Sequence, residues 1–183
     1  MWTSRAALFA CLALCALPPA AGAAERYIYT YDPASPPARR LTDTGLSFLF
    51  ARGLLGGVRV QRVIQTGDIG AADLRLASEA ALGRGGLKMA LGNERPAGAL
   101  YEILPAGEGT SFVHAVCPGA DQAWLLIGRI DRFQDLELQA VGRSAKDAQA
   151  HLCSNMAFTF RSDLRLPEQD TLPPPHLVGR GPE

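Results

Sequence analysis

The sequence predicts a mainly β protein, folded as a single antiparallel sandwich or barrel-like domain with one short helix in a 67–98 excursion. Aromatic, aliphatic and β-branched residues alternate with polar ones at period two, the spacing of a half-buried strand. Gly, Pro or Asp separates these segments about every ten residues, as is typical of all-β sandwiches and barrels. The last segment, which begins at Met156, is the clearest amphipathic strand in the chain.

Residues 1–23 have the order of a secretory signal peptide. Arg5 precedes an apolar run at 6–17, two prolines end that run, and the small residues at 21–23 suit a cleavage site. The run is too short to span a bilayer, which needs about 20 residues, and no second long apolar segment follows it. We therefore expect a mature protein that begins near Ala24, is periplasmic or secreted, and has no transmembrane segment.

Three strands are expected in the first part of the mature chain. Aromatic and β-branched residues alternate over 24–31, and the proline-rich stretch at 32–37 ends that strand. A second strand follows at 46–51, with its larger apolar residues on one parity. Gly56-Gly57 predicts a turn into a third strand at 58–61, so the second and third strands are expected to form a hairpin.

The 67–98 excursion is the least β-like part of the sequence. Ser78 is a favourable N-cap for a short helix over Glu79–Leu82, and Gly83 is suited to end that helix. The excursion is either a solvated connection with one helical turn or a functional loop carried on a rigid sheet.

Further strands are predicted after the excursion, at 100–104, 111–117, 123–130 and 136–142. Residues 124–127 are apolar on both parities, which indicates a central strand covered on both faces.

The long segment that begins at Met156 predicts a bent strand or a hairpin arm. One parity is expected to be buried: Met156, Phe158, Phe160, Leu164 and Leu166. The other parity is expected to face water: Ala157, Thr159, Arg161, Asp163 and Arg165. The β-rich domain is thus expected to cover 24–166, and the Pro/Gly-rich residues 167–183 are expected to form a disordered tail.

Two cysteines follow the signal peptide, Cys117 and Cys153. An even pair in an exported protein predicts one disulfide bond. The alternative is a zinc site that adds His114 and His151, because two His and two Cys form a ligand set that zinc accepts. On a strand, however, His114 and Cys117 would leave opposite faces. We therefore expect the disulfide, no metal and no cofactor.

Charge and motifs exclude several classes of function. The chain has 18 Lys and Arg against 18 Asp and Glu without a basic block, which argues against nucleic acid as a partner. The sequence has no nucleophile elbow, phosphate loop or His-Glu-x-x-His motif. The acidic residues Asp131, Asp135 and Glu137 are expected to surround a solvated turn between two strands.

The tyrosines at 27, 29 and 31 share one parity and are candidate binding-surface residues, because tyrosine combines a flat apolar face with a hydrogen-bonding group. Alternatively, they cover one side of an edge strand. The main functional hypothesis is a non-catalytic module that binds a protein, an envelope component or a small ligand. A second is a barrel that carries a lipid-like molecule. A third is a hydrolase with a site drawn from Asp131, Glu137, His114 and His151.

Overall fold

A computed structural model describes residues 24–53, 56–65, 67, 70–83, 85–92, 97–147 and 149–167. The expected signal peptide and residues 168–183 of the expected tail lie outside the described residues. The strands are β1 Glu25–Pro33, β2 Leu46–Arg52, β3 Val58–Gln65, β4 Gly70–Leu76, β5 Ala99–Ile103, β6 Gln122–Ile127, β7 Leu136–Arg143 and β8 His151–Leu166. The helices are α1 Pro36–Leu41, a 3-10 turn at Glu79–Leu82, α2 Gly86–Leu91 and α3 Gly109–Val116.

The eight strands form a closed antiparallel barrel in which each strand pairs with its neighbours in the chain and β1 pairs with β8. The mainly β prediction is confirmed, and of its two architectures the barrel is the observed one. Closure gives every strand two hydrogen-bonded neighbours, so the tyrosine strand β1 is not an edge strand.

Successive connections between strands lie at alternate ends of the barrel, so each end carries its own set of connections. We call the end with α1 and α3 the base, and the end with the β2–β3 and β6–β7 connections the mouth. At the base, the hydroxyl of Ser35 accepts a hydrogen bond from the Ala38 N–H of α1 at 3.4 Å and from the Ala157 N–H of β8 at 3.0 Å. This ties α1 to the barrel wall.

The barrel interior is filled by large side chains. Tyr31, Phe48, Phe50 and Phe158 are each 0% exposed. From the base, α3 adds the buried side chains Phe112, Val113 and Val116 to the same core. The interior of an eight-stranded barrel has room either for packed side chains or for one small ligand. Because side chains fill this interior, space for a ligand lies at the mouth.

A second core covers the outer face of β6. Trp124 and Leu126 point outward and pack with Leu82 of the 3-10 turn and Leu87 of α2, whereas Leu125 faces the interior. The prediction of a strand covered on both faces is confirmed. The helical turn at Glu79–Leu82 also has the predicted bounds.

The predicted strand at 111–117 is wrong, because this segment lies mostly in α3. Its β-branched and aromatic residues favour a strand locally, but Phe112, Val113 and Val116 recur at helical spacing and together close the base. The structure also adds α1, α2 and β4, which the sequence analysis did not predict. Among the described residues, no helix is long and apolar enough to cross a membrane.

The long strand is confirmed as β8, but its alternation does not continue to its end. The pairing with β1 shifts between Thr30 and Tyr31, so that Phe160 pairs with Tyr31 and Ser162 pairs with Thr30. Arg161 is therefore the extra residue of a β-bulge, which exchanges the two faces of the strand. As a result, Leu164 is 57% exposed, and the prediction that it shares the buried face with Phe158 is wrong.

Candidate ligand site at the mouth of the barrel

The three candidate tyrosines point toward the barrel interior rather than forming an exposed surface. Tyr29 and Tyr31 are 2% and 0% exposed, and Tyr27 lies half-buried toward the mouth. The Tyr29 ring contacts Phe50 edge-on at 4.8 Å between ring centroids, and it contacts Phe160 at 5.6 Å. The tyrosine strand therefore builds an aromatic wall inside the barrel.

Arg52 brings a positive charge to the top of this aromatic wall. Its guanidinium carbon lies 5.6 Å from the centre of the Tyr27 ring and 5.9 Å from that of Phe50. These distances are within cation–π range. Arg52 follows Leu46, Phe48 and Phe50 on the inward parity of β2, and a charge on an otherwise apolar parity is the signal that the sequence analysis missed.

Two buried polar atoms of these inward-facing residues have no hydrogen-bond partner in the part of the chain that the structure describes. They are Nε of Arg52 and the hydroxyl of Tyr31. A buried polar group without a partner costs about 1–3 kcal/mol. Burial raises the pKa of the Tyr31 hydroxyl; the charge of Asp131 also raises it, whereas that of Arg52 opposes the shift. The hydroxyl therefore stays protonated at neutral pH.

An apolar cleft of about 320 Å³ opens beside these groups. Val58, Val60, Tyr101, Ile127 and Ile130 supply its apolar lining. The Tyr101 hydroxyl accepts a hydrogen bond from the Val60 N–H at 3.2 Å, which fixes the ring in the cleft wall.

A polar cleft adjoins the apolar one, and Arg129 and Asp131 line both. Asp131 forms a close ion pair with Arg129, but its carboxylate lies 3.9 Å from Arg52. The turn predicted to be only solvated therefore also carries a half-buried carboxylate between two arginines. Arg132 also lines this cleft and pairs with Asp163 at 3.2 Å.

Phe133 presents an exposed aromatic ring at the same end. Its backbone has φ 63°, and the residue is 68% exposed. A left-handed conformation at a bulky residue is uncommon and is found more often at functional sites. The ring lies 5.4 Å from Phe160, and the Arg132 guanidinium lies 4.8 Å from the ring centre. The β6–β7 connection thus holds an apolar surface at the mouth, in contact with the interior aromatic wall.

The chain matches no protein-family model, no curated protein and no solved structure. The side chains of the mouth are therefore the basis of the functional proposal.

The predicted cysteine pair lies at the base. Cys117 and Cys153 are at disulfide distance, with a Cα–Cα separation of 5.1 Å. Gly142 of β7 packs against them: a Cβ built on it would lie 2.8 Å from the Cys153 sulfur and closer still to the Cys117 sulfur. Those positions leave no room for a side chain at residue 142.

The histidines of the zinc alternative are not equivalent. One ligand atom each from Cys117, His151 and Cys153 lies within 4.8 Å of the others, but His114 is not in that group. His114 is an exposed residue of α3 rather than of a strand, so the parity argument made for it does not apply. Because the two sulfurs are paired with each other, His151 is the one residue of this group that could still bind a metal ion.

The residues of the predicted hydrolase site are at opposite ends of the barrel. Asp131 and Glu137 lie at the mouth, whereas His151 pairs with Gly142 near the base end of β7. Glu137 and Gly142 are five strand positions apart, or about 17 Å at the usual rise. His114 belongs to α3, which closes the base. The structure therefore does not assemble these carboxylates and imidazoles into one site.

Proposed function

We propose that this protein is a non-catalytic binding protein of the periplasm or extracellular space, and that its mouth takes a small amphipathic molecule. The proposal combines the binding-module and ligand-carrying hypotheses drawn from the sequence. The observation that carries it is the junction of an apolar and a polar cleft above a filled barrel interior.

The two clefts match the two parts of an amphipathic ligand. Ligand sites are usually concave and mostly apolar, with a few polar groups that fix orientation. The apolar cleft can bury a hydrocarbon or aromatic body against Val60, Tyr101 and Ile127. The polar cleft places arginine and carboxylate groups beside that body. Because the core below is packed, the ligand is expected to lie at the mouth rather than deep in the barrel.

A fluorescent probe without a charged head tests this proposal directly. N-phenyl-1-naphthylamine is neutral and brightens when it leaves water, so its fluorescence reports occupation of an apolar site. We expect saturable binding to the full mature protein and an affinity at least about tenfold weaker in Val58→Trp, because indole would fill the cleft that Val58 lines.

Arg59→Trp is the matched control. It introduces the same side chain one residue along β3, at an exposed position outside the residues that line the cleft. We expect it to bind the probe like the wild type, with thermal melts checking that both variants fold. The proposal is overturned if the wild type does not bind the probe, or if the two variants bind it equally well.

A further inference from the structure

We infer that the polar head group selected at the mouth is a carboxylate, bound by the guanidinium of Arg52. This inference rests on the proposed function and names its ligand class: a monocarboxylic acid with an apolar body.

The guanidinium of Arg52 needs an acceptor. Its Nε has no hydrogen-bond partner among the described residues, and a guanidinium can only donate. A ligand that pairs with it must therefore bring acceptor oxygens. A carboxylate has two such oxygens and is the geometric match for a guanidinium, which binds it through parallel hydrogen bonds.

The charge on Arg52 is also incompletely balanced. A carboxylate oxygen of Asp131 lies 3.9 Å from the guanidinium, beyond hydrogen-bond distance, and the same carboxylate is held by Arg129. By contrast, Arg62 of the outer wall bonds Asp73 at 2.6 Å. An incoming carboxylate would give Arg52 the close anionic partner that Arg62 already has.

The surroundings of Arg52 favour this pairing. Its contacts with the Tyr27 and Phe50 rings hold the guanidinium against an apolar wall, where charge-assisted hydrogen bonds are stronger than in water. Arg129 and Arg132 add positive charge to the same cleft, although Asp131, Asp135 and Glu137 offset it. An ammonium head would meet Arg52 with like charge and could not accept a hydrogen bond from its guanidinium.

A series of ligands with one tail and three heads tests the inference. Decanoate, decanol and decylamine are used below their aggregation concentrations to displace N-phenyl-1-naphthylamine from the full mature protein. We expect decanoate to bind at least about tenfold more tightly than either of the others. Equal or tighter binding of decanol or decylamine would overturn the carboxylate assignment while leaving the apolar site intact. Absence of probe binding would instead overturn the proposed function.

Variants then assign the preference to residues. Arg52→Gln should weaken decanoate about tenfold or more and change decanol less than about threefold. Arg52→Lys, which keeps the charge but loses the planar donor fork, should reduce the preference for decanoate several-fold. Arg59→Gln removes a charge from the exposed face of β3 and should leave the preference unchanged. Retention of the full preference in Arg52→Gln overturns the inference; if Arg52→Gln does not fold, Arg52→Lys decides it.

Discussion

Replacement of Leu164 by alanine should have little effect on stability, although Phe158, which shares its sequence parity, is part of the core. Phe158 is 0% exposed, and truncation of a buried phenylalanine costs about 3–5 kcal/mol of unfolding free energy. Leu164 is 57% exposed. Full burial of a leucine is worth about 1.5–3 kcal/mol. Because less than half of the Leu164 surface is buried, its truncation should cost about 1 kcal/mol or less.

Urea melts of Phe158→Ala, Leu164→Ala and the exposed control Thr159→Ala, analysed with a common slope, measure this difference. Thr159→Ala should also cost no more than about 1 kcal/mol, as for an ordinary surface change. The reasoning depends on the bulge at Arg161, which turns Leu164 outward. A loss of 3 kcal/mol or more in Leu164→Ala would refute the bulged register and restore strict alternation along β8. If Thr159→Ala is more damaging than Phe158→Ala, the face assignment of β8 is wrong.

Three further outcomes are expected. Gly142→Ala should lower the melting temperature of the protein with its cysteines intact, because the new methyl group overlaps the paired sulfurs, whereas Gly53→Ala, with only one distant neighbour, should not; thermal melts decide, and intact masses before and after reduction test the disulfide itself. N-terminal sequencing of the exported protein should start within a few residues of Ala24, and retention of Met1 would contradict export by cleavage. The hydrogen bond from Arg62 lowers the pKa of Asp73. The stabilisation of the folded protein by this ion pair is therefore fully present above the ordinary Asp pKa, and it is lost as the pH falls through the lowered pKa. Arg62→Gln should therefore cost less than about 1 kcal/mol at pH 7, and the cost should shrink as the pH falls through the lowered pKa of Asp73, as measured by urea melts at a series of pH values.

Period-two patterning was sufficient to predict most of the barrel wall. It located β1, β2 and β7 because their inward and outward residues differ clearly in polarity. It did not find β4, whose inward residues Ala72 and Leu74 provide a weak contrast. It misassigned α3 because Phe112 and Val113 favour strands locally, and only the need to close the base makes them helical.

The candidate site could be predicted only in part. The alternation of Tyr27, Tyr29 and Tyr31 indicated a shared face, but only closure of the barrel turns that face into an interior wall. Arg52 lies on the otherwise apolar parity of β2, so the sequence alone could have indicated it as a candidate site residue. Its proximity to Asp131 depends on pairing between strands that are distant in the sequence, so no local pattern reports it.

The pairing of the first strand with the last also limits when the chain can fold. Asp32 and Arg161, 129 residues apart in sequence, are in contact across this seam, so the loop they close is nearly as long as the barrel itself. Contacts between residues so far apart in the sequence form slowly, because the long loop must close before they stabilise the fold. A nascent chain that lacks β8 has an open sheet with two unpaired edges. Completion of the barrel must therefore await the last strand, and until then the chain depends on its surroundings to prevent association through those edges.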